Sequence, residues 1–164
     1  MPVEALFTSL SGGAELRARV LATLREVEAL PAHTRIDVHI MTFAFTDAAV
    51  ADLLRDIAAA REDLSVRVLA DWGQGSPGSG RVLRRLVQAG LPNLSVRYKH
   101  DQPYVHDAGT GRIRWSYHAS RGLLHHKTLE VLVDGVPTVL VCGSFNWTGA
   151  AARSSPACTT SRFS

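Results

Sequence analysis

Four polar residues in the last third of the sequence have side chains that suit the binding and cleavage of a phosphate ester. They are His125, Lys127, Ser144 and Asn146. An imidazole can attack phosphorus, while an ammonium, a hydroxyl and an amide can hold the phosphate oxygens. The lysine is notable because the chain has 16 Arg and only two Lys, and the two cations are not interchangeable. These residues predict a site for an anionic group such as a phosphodiester; a histidine with only a structural role is the alternative.

The segment that carries these residues is predicted to form a β-hairpin. Two apolar, β-branched-rich runs, residues 128–133 and 138–142, flank Asp134 and Gly135. Asp-Gly between such runs is a strong short-range hairpin signal. The side chains of facing strand residues lie on the same face of a hairpin. The pairing of the two strands therefore decides which candidate residues meet.

Two pairings of this hairpin are open. A two-residue turn places His125 opposite Ser144. A four-residue loop, which Pro137 favours because it cannot donate to a ladder, places Lys127 opposite Ser144 and His125 opposite Asn146. Both pairings predict one shared face for the four candidate residues. His126 and Phe145 are predicted to point to the other face.

The order of these residues resembles the signature of the phospholipase D superfamily, which is H-x-K, then an Asp, then G-S-x-N. In this chain the motif positions are His125 and Lys127, then Asp134, then residues 143–146. Each arm between Lys127, Asp134 and the G-S-x-N segment is two residues longer here than is usual in the family. An equal, even extension lengthens the hairpin without changing the predicted shared face.

The resemblance implies a function for each matched residue. His125, Lys127 and Asp134 would be catalytic, and Lys127, Ser144 and Asn146 would bind the substrate phosphate. Asp134 either keeps the family's supporting role or serves only as a turn former. The implied reaction is hydrolysis of a phosphodiester through a covalent phosphohistidine. It requires no metal or other cofactor, because Lys127 and Asn146 supply the charge stabilisation.

The count of motifs leads to an oligomeric prediction. In the family, two such motifs meet at one site, where one His attacks phosphorus and the other protonates the leaving alcohol. This chain has a single H-x-K. A two-fold homodimer with one composite active site would supply both histidines.

Length and charge narrow the class of protein. A chain of 164 residues with 46% hydrophobic composition is enough for one domain, which we place at residues 1–152, followed by an irregular tail at 153–164. Net charge is −4 for residues 1–64 and +7 for residues 65–164, which favours an anionic substrate. Cys142 and Cys158 form no spaced disulfide framework, and Cys142 is predicted to be a small apolar filler. No apolar run reaches transmembrane length, so a cytoplasmic location is expected.

The remaining sequence predicts an α/β fold with a mixed, largely parallel β-sheet flanked by helices. Residues 14–30 predict a helix with a stripe of Leu16, Val20, Leu24 and Val27, and residues 35–45 a buried strand. A helix capped by Thr46 and Asp47 follows, then a strand at 65–71, which together indicate a parallel β-α-β unit similar to the family's first one. The inward positions of that helix are predicted to be Ala49, Val50, Leu53, Leu54 and Ile57. Residues 80–89, capped by Ser79, predict a further helix, and residues 94–99 a further strand.

Two other segments resemble ligand sites. Gly73, Gly75 and Gly78 spell G-x-G-x-x-G, but Pro77 falls inside the turn and no suitably spaced acid follows, so a loop at the sheet edge is preferred to a dinucleotide site. Residues 100–122 hold three histidines without tight ligand spacing, so a substrate-facing loop with aromatic residues is preferred to a zinc site. The histidines are His100, His106 and His118.

The substrate and the end of the chain leave alternatives. The favoured substrate is a phospholipid, and the alternative is DNA or RNA cleaved by a phospholipase D-like endonuclease. After Thr148 the resemblance stops, because no Asp or Glu follows Asp134, whereas the family has a further Asn and acidic residue there. Truncation or a reading-frame change after Gly149 is therefore a hypothesis. A non-catalytic, polyanion-binding fragment is the third alternative.

Overall fold

The computed structural model describes residues 13–75, 78, 80–99, 104–106, 109–115, 124–144 and 146–148. Three helices and seven strands lie in these ranges. In chain order they are α1 (Ala14–Glu28), β1 (Ile36–Thr42), α2 (Ala48–Ala60), β2 (Leu64–Asp71), α3 (Arg81–Gln88), β3 (Leu94–Lys99), β4 (Tyr104–His106), β5 (Ile113–Trp115), β6 (Lys127–Val133) and β7 (Val136–Cys142). The predicted α/β class is confirmed.

Five of the strands form one mixed sheet in the order β3-β2-β1-β6-β7. β1 pairs with β2, and β2 with β3, in parallel, as the predicted β-α-β unit requires. β6 enters antiparallel to β1, and β7 antiparallel to β6. Parallel and antiparallel pairings are therefore equal in number in this sheet, and the expectation of a largely parallel sheet was wrong, because the hairpin supplies as many pairings as the β-α-β part.

The helices bury their apolar stripes against the sheet. α2 contacts α1, α3 and β2, and α3 contacts β3. The predicted helix stripes are largely confirmed: Val20, Leu24 and Val27 of α1, and Val50, Leu54 and Ile57 of α2, are buried. Ala49 is exposed instead. The strands contribute an apolar row to the same core: Ile36, Val38, Ile40, Val66, Val68, Leu129 and Val131.

Asp47 begins α2, as predicted. Its carboxylate accepts hydrogen bonds from the backbone N–H groups of Ala49 and Val50, at 3.1 and 3.4 Å. It also forms a two-point ion pair with Arg17 of α1, in which Nη2 lies 3.1 Å from Oδ1. Burial raises the pKa of Asp47, but the hydrogen bonds and charge of Arg17 and the two backbone N–H groups outweigh burial and lower this pKa below its ordinary value. Asp47 therefore joins α1 to the start of α2.

Of the two turns left open by the sequence, the structure has the two-residue turn. Asp134 and Gly135 have φ angles of 52° and 80°, and Val133 pairs with Val136. Positive φ at both central residues is characteristic of a type I′ turn, which Asp-Gly favours. The prediction of a hairpin at this place is therefore confirmed.

The predicted strand pairing was wrong, because β7 contains a bulge. Val133 and Leu132 pair with Val136 and Pro137, but the next pair is Val131 with Val139, and the ladder ends with Thr128 opposite Cys142. Thr138 is the extra residue, and its Oγ1 donates to the carbonyl oxygen of Val131 at 3.0 Å. A one-residue shift reverses face parity. The Lys127 side chain therefore lies on the same face of the hairpin as the side chains of Val139 and Val141. Cys142 is exposed instead of filling the core.

Several loops differ from the predictions. Trp72–Gly75 forms a 3₁₀ turn directly after β2, where only a loop was expected. Part of the predicted connection 100–122 is a short antiparallel hairpin, β4 with β5. Gly80 occupies the position before α3; the predicted cap Ser79, and also residues 149–164, lie outside the described residues.

Candidate active site

The candidate residues lie at one edge of the sheet, where β1 and β2 end and β6 begins. Thr42 is the last residue of β1 and faces Lys127, the first residue of β6. Thr42 also faces Ala70, next to the end of β2. This meeting of ends follows from the antiparallel entry of β6, since its first residues lie beside the last residues of β1. Carboxyl ends of parallel strands are a common location for ligand sites.

Lys127 is a buried cation at this edge. Its side chain is 4% exposed, and its Nζ donates to the backbone carbonyl of His125 at 2.7 Å. The same Nζ lies 5.4 Å from the centroid of the Phe43 ring, a distance that suits a cation–π contact. Among the described residues, no carboxylate forms an ion pair with it. Burial lowers the pKa of Lys127 from its ordinary value, because the ammonium has lost hydration.

His125 lies beside Lys127 and shares a neighbour with it. The His125 ring is 5.1 Å from the Phe43 ring, centroid to centroid, with 56° between the planes. The residue is exposed, so a substrate or a second protein chain can reach it. Phe43 thus contacts the imidazole and the ammonium together. His126 is also exposed, and its backbone carbonyl accepts from Phe43 N–H at 3.1 Å.

The G-S-x-N segment reaches this edge by leaving the β7 ladder and attaching to the chain after β1. Trp147 forms a parallel bridge with Phe45, and its N–H donates to the carbonyl of Ala44 at 3.1 Å. The Trp147 carbonyl accepts from Thr46 N–H at 2.8 Å and from Asp47 N–H at 3.0 Å. The Trp147 ring is 3% exposed and stacks on Phe45 with centroids 6.0 Å apart. These contacts, and not the strand alternation assumed from the sequence, position Asn146.

A small pocket joins the two halves of the motif. Lys127, Gly143 and Trp147 line it together with Val141 and Cys142 of β7 and two apolar residues of α1, Leu16 and Val20. The residues that flank Ser144 and Asn146 therefore lie against the lysine. The remaining lining is largely apolar.

Ser144 and Asn146 have different environments in this segment. Ser144 is exposed, so its hydroxyl is accessible. Asn146 is half-buried, and its buried Oδ1 has no hydrogen-bond partner among the described residues. An orphaned buried acceptor costs about 1–3 kcal/mol. A donor from a bound ligand or from water would satisfy it.

Asp134 lies apart from the other candidate residues. It occupies the turn at the far end of the hairpin, beyond the seven residues of β6, which correspond to about 20 Å at the usual rise per residue. It is exposed. Among the described residues it forms two hydrogen bonds with Arg35: its Oδ1 accepts from the Arg35 N–H at 3.2 Å, and its own N–H donates to the Arg35 carbonyl at 2.8 Å. This position at the hairpin turn agrees with the turn-forming alternative for Asp134 and separates it from His125 and Lys127.

Sequence reasoning missed Phe43 as a site residue. Phe43 lay within the buried strand predicted at residues 35–45, whose uniformly apolar end gave no reason to single out one aromatic ring. The available signal was position: Phe43 is the first residue after β1, and residues at strand ends often line sites.

Neither the glycine-rich segment 73–78 nor the connection 100–122 forms a ligand site within the residues that the structure describes. Gly73 and Gly75 belong to the 3₁₀ turn after β2. Within the described ranges, no group of three or more His, Cys, Asp or Glu residues is placed to hold a metal ion. His100 and His118 lie outside those ranges. None of the described helices is both long and apolar enough to cross a bilayer.

The chain matches a model of a known protein family. Residues 30–156 match a family model described as "Cardiolipin synthase, PLD-like domain". The matched range begins just before β1 and extends past the G-S-x-N segment, so it contains every candidate residue described above. No curated protein matches the chain.

Proposed function

We propose, on the premise that the chain belongs to the phospholipase D superfamily as a PLD-like domain, that this protein hydrolyses a phosphodiester at the edge formed by β1, β2 and β6. The observation that carries the proposal is the buried Lys127 ammonium, which has a carbonyl and an aromatic ring as neighbours but no described counter-charge. A buried charge requires compensation. A substrate phosphate beside His125 would supply it.

The roles follow from the positions of the side chains. The exposed His125 imidazole attacks phosphorus, a nitrogen–phosphorus bond forms, and the bond to the leaving alcohol breaks. Lys127 neutralises charge that develops on the phosphate oxygens, and Ser144 and Asn146 hold the same oxygens. Water then attacks the phosphohistidine, which releases the phosphate product and restores the imidazole. Asp134 takes no part in this scheme.

The leaving alcohol requires a proton. We propose that His125 of a second copy of the chain donates it. The sequence has a single H-x-K, and the exposed His125 is accessible to another subunit. An isologous interface brings the same residue of each subunit to the axis. Mixing excess His125→Ala subunits with wild-type subunits should lower activity per wild-type subunit, and a monomer in sedimentation that retains full turnover would contradict the shared site.

A phospholipid is the substrate class that we propose. The description of the matching family model refers to cardiolipin synthase, which supports a phospholipid over a nucleic acid. The proposal is tested by turnover of purified protein on phosphatidylcholine vesicles, single-stranded DNA, duplex DNA and a chromogenic diester. Cleavage of DNA alone would assign the protein to the nucleases of the superfamily. Binding of polyanions without turnover of any substrate would contradict hydrolysis altogether.

The decisive variants are two neighbouring histidines with similar exposure. His125→Ala should abolish turnover and the acid-labile phosphate adduct that rapid quenching traps. His126→Ala is the matched control, because it removes an exposed imidazole and leaves the backbone carbonyl that binds Phe43. Its turnover and its free energy of unfolding should stay close to those of the wild type. Equal loss of turnover in both well-folded variants would contradict the assignment of His125.

A further inference from the structure

Asp71 is a buried carboxylate at the same sheet edge as the candidate site. It is the last residue of β2 and is 3% exposed. Its Oδ1 accepts from the backbone N–H of Gly73 at 2.9 Å, and its Oδ2 accepts from the backbone N–H of Leu124, also at 2.9 Å. Both partners are backbone donors, and no cation forms an ion pair with Asp71 among the described residues. The carboxylate therefore connects the turn after β2 to the entry of β6.

Leu124 links Asp71 to the candidate nucleophile. Leu124 directly precedes His125 and lies 53 residues from Asp71 along the chain. Directly after His125, the carbonyl of His126 accepts from the N–H of Phe43. The backbone of His125 is thus fixed on both sides before β6 begins, by the end of β2 on one side and by the end of β1 on the other. Leu124 itself is 5% exposed, so its side chain adds an apolar anchor.

Gly73 leaves space for the carboxylate. A Cβ at position 73 would lie 3.1 Å from Asp71 Oδ1, closer than ordinary van der Waals contact. Any larger residue would therefore push the carboxylate away from its position by a few tenths of an ångström. Asp71 and Gly73 form one geometric unit.

We propose that Asp71 is a positioning residue for His125, which it holds in place through the Leu124 amide; this rests on the proposed role of His125 as nucleophile. An ionised carboxylate can accept on both oxygens, as this arrangement needs. Asparagine has the same shape but only one acceptor oxygen, so Asp71→Asn must lose one of the two hydrogen bonds. Small displacements of a reacting group can lower a rate up to about a hundredfold.

The test compares Asp71→Asn with Asp37→Asn. Asp37 is also a buried strand carboxylate, 7% exposed, but it lies near the start of β1, opposite Ser65 and Leu132, and far from His125. The measurements are hydrogen exchange of the Leu124 amide, the NMR signal of the His125 ring, assigned by its absence in His125→Ala, and kcat and KM. Asp71→Asn should accelerate exchange at Leu124, shift the His125 signal and lower kcat about tenfold to a hundredfold with little change in KM. Asp37→Asn should leave the Leu124 and His125 signals and kcat unchanged.

A second pair of variants tests the same inference without changing the charge. Gly73→Ala should displace the Asp71 carboxylate and produce a smaller change of the same kind, whereas Gly78→Ala is the control, because a Cβ there meets nothing within 4 Å. In the double variant Asp71→Asn with Gly73→Ala, the two effects on kcat should be less than additive, since both act through one contact. Full additivity would overturn the proposal, as would unchanged Leu124 exchange in both single variants.

The hydrolase activity and the positioning role of Asp71 can be refuted separately. If the wild-type protein turns over no diester, the proposed hydrolysis fails, while Leu124 exchange and the His125 signal still decide whether Asp71 fixes this segment. If turnover is found but Asp71→Asn leaves kcat and the His125 signal unchanged, the positioning role fails and the hydrolase proposal stands.

Discussion

Replacing Lys127 by methionine separates the effect of the buried ammonium on folding stability from its effect on turnover. Methionine keeps an unbranched apolar stem that fits against Val20, Val141 and Trp147 in the pocket, and it removes only the charge and its hydrogen bond. If Lys127 is retained for its interaction with a phosphate, the variant should lose activity without losing stability. The experiment therefore tests function and folding in one substitution.

The expected magnitudes follow from the contacts of Lys127. The hydrogen bond from Nζ to the His125 carbonyl is worth about 1.5–3 kcal/mol, because the donor is charged. Burying the ammonium without a counter-charge costs several kcal/mol, roughly 3–4 here. Lys127→Met should therefore keep the free energy of unfolding unchanged or raise it by about 1–2 kcal/mol. Turnover should fall about a hundredfold to a thousandfold, as for the loss of one charge-stabilising group.

The assays are urea unfolding and steady-state turnover of the chromogenic diester. Lys127→Arg is the comparison variant, because it keeps a charge but places a larger planar group in the same small pocket. It should lose activity and also about 1–3 kcal/mol of stability through overpacking. A loss of more than about 2 kcal/mol in Lys127→Met would refute the reasoning, since the ammonium would then have a counter-charge that stabilises the fold.

Stability against pH gives a second check on Lys127. Burial lowers its pKa in the folded protein below the ordinary value of 10.5, so between the two values the unfolded chain binds more protons than the folded one. The free energy of unfolding of the wild type should consequently rise, relative to Lys127→Met, as the pH increases through the lowered pKa toward 10.5. A difference between the two proteins that is independent of pH would contradict the buried, desolvated state of this lysine.

Two further predictions concern the aspartates at positions 134 and 47. Asp134→Asn should leave turnover unchanged and stability within about 0.5 kcal/mol, because asparagine also tolerates positive φ; a large loss of turnover by steady-state kinetics would restore Asp134 to the site. Asp47→Ala should cost about 2 kcal/mol in urea unfolding through loss of the helix cap. Since the pKa of Asp47 is lowered from 3.8, its stabilisation is present above about that pH and is lost as the pH falls through the lowered pKa, so wild type and variant should converge in acid. A constant difference down to strongly acidic pH would contradict the role of the carboxylate.

The β-α-β part of the fold was predictable because its signals are local. Asp47 follows a buried strand and precedes an amphipathic run, which is sufficient to place the start of α2. β3 was predicted with its observed bounds, since turn residues and a helix precede it. The order strand, helix, strand then requires a crossover and a parallel pair.

The site was only partly predictable, because its geometry depends on contacts that are remote in sequence. Pro137 was interpreted as favouring a four-residue loop, whereas the structure has a two-residue turn followed by a bulge at Thr138, whose hydroxyl donates to the Val131 carbonyl. The interaction of Asp71 with Leu124 connects two segments that are 53 residues apart, and no periodic pattern in the sequence links them. The motif resemblance identified His125 and Lys127, while the proximity of Phe43 to both became apparent only when β6 was placed beside β1.

The antiparallel entry of β6 explains how a long hairpin can be accommodated without moving Lys127. Lys127 is fixed at the sheet edge by its pairing with Thr42, and Val133 lies opposite Ile36 at the other edge. Residues added to the hairpin therefore move the Asp134 turn away from the site and leave the entry of β6 in place. The other arm returns through a bulge that reverses its parity, yet the G-S-x-N segment still reaches the site, because Trp147 attaches it to Ala44, Thr46 and Asp47. The two halves of the motif are thus held by β1 and the loop after it. The length and register of the hairpin between them can therefore change without moving the candidate residues.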